Sequence, residues 1–450
     1  MRKIFFLTTV LALCLPQAKA QKIYSLEQIV DSAKVNNIAL GNSRLEVEAA
    51  RQQRLEAFTR FFPSISANAL HFNANKGLLQ TDLTIGDHIP SDIGMMLAGV
   101  LPAESLASLS NPISIEMMKN GTVAAVTALQ PVFAGGQIVN GNRLARVGED
   151  VSRLRLLLAE NSTEETAGKY FWQLASLLEK EKTVAAVEEL LKEFEKDVKA
   201  AVDAGVAMQN DLLQVQLREN ETASQKLKVA NGIRLVKMLL AQFCGLPDED
   251  FSISYDSSEN VRPASPAGEP EALVAGTIEY KLLGKKVEAA RLNHHIEVGR
   301  HLPTLAVGAG YTYNDLLDKG RHSGMLFATL SVPITDWWGG SHAIKRRKIA
   351  VRQAEDEFKD NSALLRIRIQ NAWNNVEEAY EQLQLSVRSM EQAEENLRLS
   401  REYYKAGTTR MTDLLEAQML YQKAMDGRTD AFAEYRVKLL EYRHETNQNL

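Results

Sequence analysis

Between Trp337-Trp338-Gly339-Gly340 and Lys405-Ala406-Gly407 the sequence carries one uninterrupted helical pattern with no proline. Val351, Ala354, Phe358, Leu365, Ile369, Ala372, Val376, Ala379, Leu383, Val387, Met390, Ala393 and Leu397 recur at steps of three and four or their sum, with charged residues between them. That is a coiled-coil seam sustained over many heptads. At 1.5 Å per residue the run predicts a rod of roughly 100 Å, where an ordinary helix has about a dozen residues. A narrow apolar stripe on such a rod cannot be buried by its own helix, so neighbouring helices are required. After Gly407 the chain turns, and a return helix is expected from Met411 towards Leu450.

The same unit occurs earlier in the chain. Pro131-Val132-Phe133-Ala134-Gly135-Gly136 opens a helical run reaching Ala204-Gly205, as Pro333 to Gly340 opens the run ending at Gly407. Asp211-Leu212-Leu213 and Asp413-Leu414-Leu415 follow the two turn glycines at the same distance. Upstream, Glu48-Ala49-Ala50-Arg51 with Phe62-Pro63-Ser64-Ile65 is matched by Glu288-Ala289-Ala290-Arg291 with Leu302-Pro303-Thr304-Leu305, about 240 residues on. Heptads do not require shared Pro and Gly punctuation, so the pattern reads as a duplication. The expected organisation is a leader over 1–20, a first repeat over 21–246, a linker rich in Pro, Ser and acids over 247–270, and a second repeat over 271–450.

Arg2 and Lys3, an apolar stretch from Ile4 to Leu15 and Ala18-Lys19-Ala20 have the form of an export signal cleaved before Gln21. Cys244 is then the one cysteine of the mature chain, and stability must come from packing and assembly rather than an internal disulfide. Loss of Arg2, Lys3 and Lys19 takes the net charge from −5 to −8, which argues against nucleic acid as a partner. No later stretch approaches the eighteen apolar residues of a membrane helix; Met95 to Leu101 comes nearest and Pro102 ends it. A chain like this crosses a membrane with strands.

Such strands are legible. Tyr24 to Phe61 reads as one helix with Ser25 as N-cap, ended by Phe62-Pro63. Ser64 to Asn73 alternates, with Ile65, Ala67, Ala69 and His71 on one face. Thr122 to Gln130, Thr304 to Tyr313 and Met325 to Val332 supply three more strands, each near the ten residues of a tilted membrane strand. Four strands leave two open edges, costing several kcal/mol per bare backbone group in lipid, so subunits must pool strands into one closed barrel. Phe61, Phe62, Phe133, Trp337 and Trp338 all fall where strand meets helix, as a periplasmic aromatic girdle requires. The connection from Asn314 to Gly324 is modest, whereas Asn75 to Gly121 is an insertion placed outside or in the barrel mouth.

Gly205 and Gly407 suit left-handed helix C-caps. Asp211, Asp413 and Glu416 begin the return helices, where carboxylates favour the positive helix dipole by a few tenths to about 1 kcal/mol. In a symmetric assembly the same acids form rings of charge around an opening and favour cations.

Together these features resemble the TolC family of outer-membrane efflux proteins. The export signal, the two runs of helix, strand, strand, long helix and return helix, the Q-P-x-F-x-G-G strand end at Gln130 to Gly136 and the G-x(5)-D-L-L tips carry the likeness over Gln21 to Glu445. The resemblance implies a mainly α fold with a membrane β-barrel, in which three subunits share a twelve-stranded barrel continued by a helical tunnel through the periplasm. It implies a passive, tip-gated exit duct for tripartite efflux or type I secretion in the outer membrane. The implied partners are a homotrimer, outer-membrane lipid, a periplasmic adaptor and, through it, an inner-membrane pump or ABC exporter. Gly205, Val206, Gly407 and Thr408 match the adaptor-docking tip, and Asp413 and Glu416 match acidic constriction positions.

Chemistry is not the expected function. Glu441-Tyr442-Arg443-His444 has the Glu-x-x-His spacing of di-iron bundles, but the first repeat has no counterpart near Phe243. His294, His295, His301 and His322 lack metal-ligand spacing. No enzyme activity, metal or cofactor is expected. A non-channel periplasmic scaffold or adaptor is the alternative, although an adaptor has one helical hairpin where this chain has two. The cargo, small molecules or proteins, is not written in the sequence.

Overall fold

The computed structural model describes residues 22–84, 113–247, 250–256, 263–316, 319–334 and 336–447, with isolated positions 93, 95, 96 and 261. The leader and Trp337's side chain lie outside the described residues. The elements are β1 (Lys22–Tyr24), α1 (Leu26–Asn36), α2 (Ile38–Thr59), β2 (Ser64–Asn73), β3 (Leu79–Leu83), β4 (Ile113–Met117), β5 (Asn120–Ala134), α3 (Gln137–Asp203), α4 (Gln209–Cys244), β6 (Phe251–Ile253), α5 (Pro270–Val274), α6 (Ile278–Arg300), β7 (Thr304–Asn314), β8 (Arg321–Ser331), α7 (Asp336–Lys405) and α8 (Met411–Thr446). The long helices α3 and α7 have 67 and 70 residues, and each return helix, α4 and α8, has 36.

The chain forms two units. One holds Arg51–Val147 and Glu288–Gln353 and contains the main sheet. That sheet has the order β2-β5-β7-β8, antiparallel throughout. Its register builds rows that continue across all four strands: Ile65, Ala128, Ala309 and Leu326 in one, Ser66, Thr127, Gly310 and Met325 in the next. Period-two alternation therefore makes one face apolar, with Leu326 88% exposed and Ile65 74%, while the other carries smaller and more polar groups. Pro131 offers no N–H to the ladder, and the β5–β7 register shifts between Pro131 and Phe133.

The second unit contains Gly148–Val287, Ala354–Leu450 and the chain before Arg51. All thirteen seam residues anticipated on α7 are buried or half-buried. Leu365, Ile369, Val376 and Leu383 join a core with Ile29, Phe171, Leu174, Leu240, Tyr435 and Tyr442. A smaller cluster unites Val187, Leu191, Phe194, Val198, Leu212, Val215, Met411 and Leu414 next to the two turns.

Four expectations are revised. The helix expected over Tyr24 to Phe61 is two helices broken at Asn37. Asn37 leaves the helical region at φ −66°, ψ 122°, accepts from Leu40 N as the cap of α2, and donates to Phe243 O. Ser25 does cap α1, reciprocally with Gln28. The insertion after Asn75 contains the hairpin of β3 and β4, and the linker contains β6, parallel to β1. The linker is held by side chains: Tyr442 Oη accepts from Ala267 N at 3.0 Å, and Tyr255 Oη donates to Glu179 at 2.9 Å. Finally, β5 and β8 start earlier than anticipated, and α7 begins at Asp336 rather than at Gly340.

Candidate channel tip and membrane interface

Each long helix ends in a turn of the same construction. Gly205 and Gly407 both have φ +73°. Gly205 N donates to Val202 O and Val206 N to Ala201 O, both at 2.9 Å; Gly407 N to Tyr404 O and Thr408 N to Tyr403 O repeat the pattern at 2.9 Å. These are Schellman turns, which satisfy terminal carbonyls and need a residue that tolerates the left-handed region. The Thr408 hydroxyl adds a bond to Tyr403 O at 3.0 Å. Val206 projects into solvent, 80% exposed.

The acids after the turns divide into two kinds. Asp211 accepts from Met208 N at 3.1 Å, and Asp413 accepts from Arg410 N at 3.2 Å and the Thr409 hydroxyl at 2.8 Å. Both aspartates thus close the first turn of a return helix on otherwise orphaned donors. The Thr409 hydroxyl, followed by the Arg410 N–H, holds the Asp413 carboxyl below its ordinary range. Glu416, one turn further, is exposed and has no partner among the described residues. It is the acid free for a role beyond capping.

Behind the tip cluster lies a polar network that heptad reading missed. The Arg218 side chain from α4, 12% exposed, donates from Nε to Gln418 Oε1 (3.0 Å), from Nη2 to Gln422 Oε1 (3.1 Å) and from Nη1 to Glu221 (2.9 Å). Gln422 donates in turn to Gln225 at 2.6 Å, and Gln418 is fully buried. Polar residues in an apolar seam were the available signal. Glu441, of the Glu-x-x-His spacing, is ion-paired with Lys169 at 2.9 Å and Lys438 at 3.0 Å.

At the sheet, strand pairing brings the C-termini of α2 and α6 and the N-termini of α3 and α7 to one edge, since Ala134 pairs with Thr304 and Thr304 with Ser331. Phe61, Phe62, Phe133 and Trp338 gather there and are all exposed, Trp338 at 85%. Phe58 packs edge-on to Phe62 at 5.5 Å. The glycine pair after β5 has a reason beyond turn geometry: a Cβ on Gly135 would lie 2.2 Å from Gly299 O, and one on Gly299 would lie 2.4 Å from Gly135 O. Gln137 Nε2 secures the contact by donating to Gly299 O at 3.2 Å.

Residues 284–438 match the family described as outer membrane efflux protein. Nodulation protein T of Rhizobium leguminosarum bv. viciae is 24% identical over 231 residues, a match covering 48% of this chain and 46% of that protein. The chain therefore spans about half the length of that curated relative. Among solved structures, the outer-membrane channel OprN superposes with a TM-score of 0.76 at 16% identity, covering 94% of this chain and 90% of its own. CusC, described in terms of transmembrane channel formation, gives 0.77 at 12%, with 94% and 91% covered. The MtrE outer membrane channel of Neisseria gonorrhoeae, in an open state, gives 0.73 at 15%, with 94% and 88% covered. The fold is that of outer-membrane channels.

Proposed function

We propose, for a chain whose residues 284–438 fall in the outer membrane efflux protein family and whose fold is that of outer-membrane channels, that it is a passive exit duct across the outer membrane and periplasm. One observation carries this reading: a four-stranded sheet, apolar on one face and with both outer strands unpaired among the described residues, whose strand ends at one side run on into the long helices α3 and α7. Strands of 10 to 15 residues match a bilayer crossing. Bare edges in lipid require closure by further copies, and three give twelve strands, the homotrimer implied by resemblance. The transport energy comes from a partner: a periplasmic adaptor docks at Gly205, Val206, Gly407 and Thr408 and links the duct to an inner-membrane pump or exporter. Phe61, Phe62, Phe133, Trp337 and Trp338 form the periplasmic girdle. The sequence organisation of two repeats joined by the 247–270 linker is the one that places two hairpins per subunit around the tunnel.

At the tip, Asp413 and Glu416 narrow the opening and select cations, with Asp211 contributing from the first repeat. The test is single-channel conductance of the purified mature protein in a planar bilayer. Wild type should give small cation-selective steps, and Asp413→Ala/Glu416→Ala larger, less selective ones. Glu416→Ala alone separates constriction from helix capping. Unchanged conductance and selectivity in both variants would overturn the constriction, and silence from folded protein would favour the scaffold reading.

A further inference from the structure

We propose that the helical collar beside the sheet binds anionic phospholipid headgroups of the periplasmic leaflet, an inference resting on the membrane reading above. The four helix ends that meet at the sheet edge, residues 51–62, 135–147, 288–303 and 334–353, contain twelve Lys and Arg against four Asp and Glu. The whole chain has 52 against 57, so positive charge is concentrated where the fold brings these four segments together.

At least half of these cations are not consumed by ion pairs. Arg60, Arg143, Arg146, Lys345, Arg346 and Lys348 are exposed and have no acidic partner among the described residues. The contrast is Arg347 and Arg300, which converge on buried Glu297 at 3.4 and 3.6 Å. A folding role explains that pair, Arg51, Arg54 and Arg291 have interactions of their own, and the six named above stay without an acidic partner among the described residues.

Their depth fits a headgroup layer. Arg60 lies one residue beyond α2; Arg143 and Arg146 are roughly 9 and 14 Å into α3, and Lys345 to Lys348 roughly 14 to 18 Å into α7, at 1.5 Å per residue. The headgroup zone adds roughly 5 to 8 Å beyond the hydrocarbon. Long cationic side chains reach back towards it, and attraction to surface charge extends a further 8 to 10 Å, about one Debye length. Apolar strand face, exposed aromatic ring and cationic collar thus follow one another in the order of hydrocarbon, interface and phosphate. Clustered Lys and Arg beside a membrane segment favour anionic lipid.

The experiment uses the mature full-length protein in phosphatidylcholine vesicles carrying brominated phosphatidylglycerol or brominated phosphatidylcholine. Trp337 and Trp338 stand at the start of α7, whereas Trp172 and Trp373 lie within the helical unit, so lipid quenching of tryptophan reports the collar. Phosphatidylglycerol should quench at a several-fold lower mole fraction than phosphatidylcholine. The preference should fall towards unity in about 0.5 M salt, where screening shortens the range to a few ångströms, and also in R60Q/R143Q/R146Q/K345Q/R346Q/K348Q. The R146Q/R346Q double variant, with partial loss expected, carries the same test at less risk to folding. Equal quenching by both lipids in wild type overturns the proposal. So does a neutralised variant that keeps the lipid preference while shifting ion selectivity, which would place the charges in the lumen. Absence of quenching by either lipid is a separate result that removes the membrane reading itself.

Discussion

Replacing Gly135 with alanine should be among the most damaging single-methyl changes in this protein. A Cβ at that position lies 2.2 Å from Gly299 O and 2.9 Å from its carbonyl carbon and Cα, all backbone atoms that no rotamer change can move. Its φ of +59° adds about 1–2 kcal/mol for a residue with a side chain. Forcing the strand end away from α6 adds an overpacking cost of about 1–3 kcal/mol, and the stretched Gln137 to Gly299 bond about 1 kcal/mol. The total is about 3–6 kcal/mol. Gly136→Ala is the control: its φ is +77°, but its Cβ meets only Asn140 Nδ2 at 3.5 Å, so the backbone penalty of about 1–2 kcal/mol stands alone. Gly339→Ala, helical with nothing within 4 Å, should be neutral or slightly stabilising. The assay is the half-life of the folded, detergent-purified protein on heating, together with its yield in membranes, a rate being the appropriate measure where unfolding is irreversible. If Gly135→Ala matched Gly136→Ala in both, the close backbone approach would not be what fixes this residue.

Arg218→Ala should cost about 1–3 kcal/mol by leaving the buried Gln418 carbonyl without its donor and Gln422 Oε1 with only the 3.5 Å contact from Gln418 Nε2, whereas R218L/Q418L/Q422L should be neutral or more stable; denaturant or thermal unfolding of both variants decides it. The Asp413 carboxyl, held below its ordinary range by Thr409 and Arg410, binds fewer protons folded than unfolded. Its stabilisation is therefore full above the unfolded pKa and lost as pH falls through the folded value, so wild type and Asp413→Asn should differ at neutral pH and converge in acid. Cys244 is fully buried, and burial pushes its thiol up to about 12. Iodoacetamide at pH 8 should leave it unmodified in the native protein and label it on denaturation, and rapid native labelling would show that the α4 terminus opens locally.

What the sequence made legible follows period. The α7 seam and the limits of β2 came through because both keep one period along their whole length, a buried or half-buried seam in α7 and an alternating exposed strand in β2 bounded by Pro63, and periodicity then determines side-chain direction. The break at Asn37 was hidden because its cause is not local. An amide reaching Phe243 O, some two hundred positions away, stabilises an extended residue inside a helix-favouring stretch. The pairing of β3 with β4 was missed for a related reason: its two strands are nearly thirty residues apart in sequence, and among the described residues they form a two-stranded sheet of their own, so no neighbouring turn signal marks them. At the tip, spacing located Asp211, Asp413 and Glu416 but could not separate them, because capping depends on which backbone N–H a carboxylate reaches. The Arg218 network was hidden because its members stand some two hundred positions apart, and only the pairing of α4 with α8 places them face to face.

Edges and faces left open in one chain point to the same assembly. Among the described residues β2 and β8 each present a ladder without a partner, and they are the two outer strands of the sheet. A two-fold dimer joining β8 to β8 would cover one edge and leave β2 bare. Pairing β8 of each copy with β2 of the next would cover both, and that head-to-tail step gives a ring where its rotation closes, as in the homotrimer proposed above. The helical unit has its own open surface: Leu213, Leu217, Leu227, Leu235 and Met238 along α4 are between 45% and 74% exposed, more apolar surface than one helix leaves to water without a partner. The proposed trimer would thus supply partners both for the bare strand ladders and for the apolar face of α4, and a single copy offers neither among the described residues.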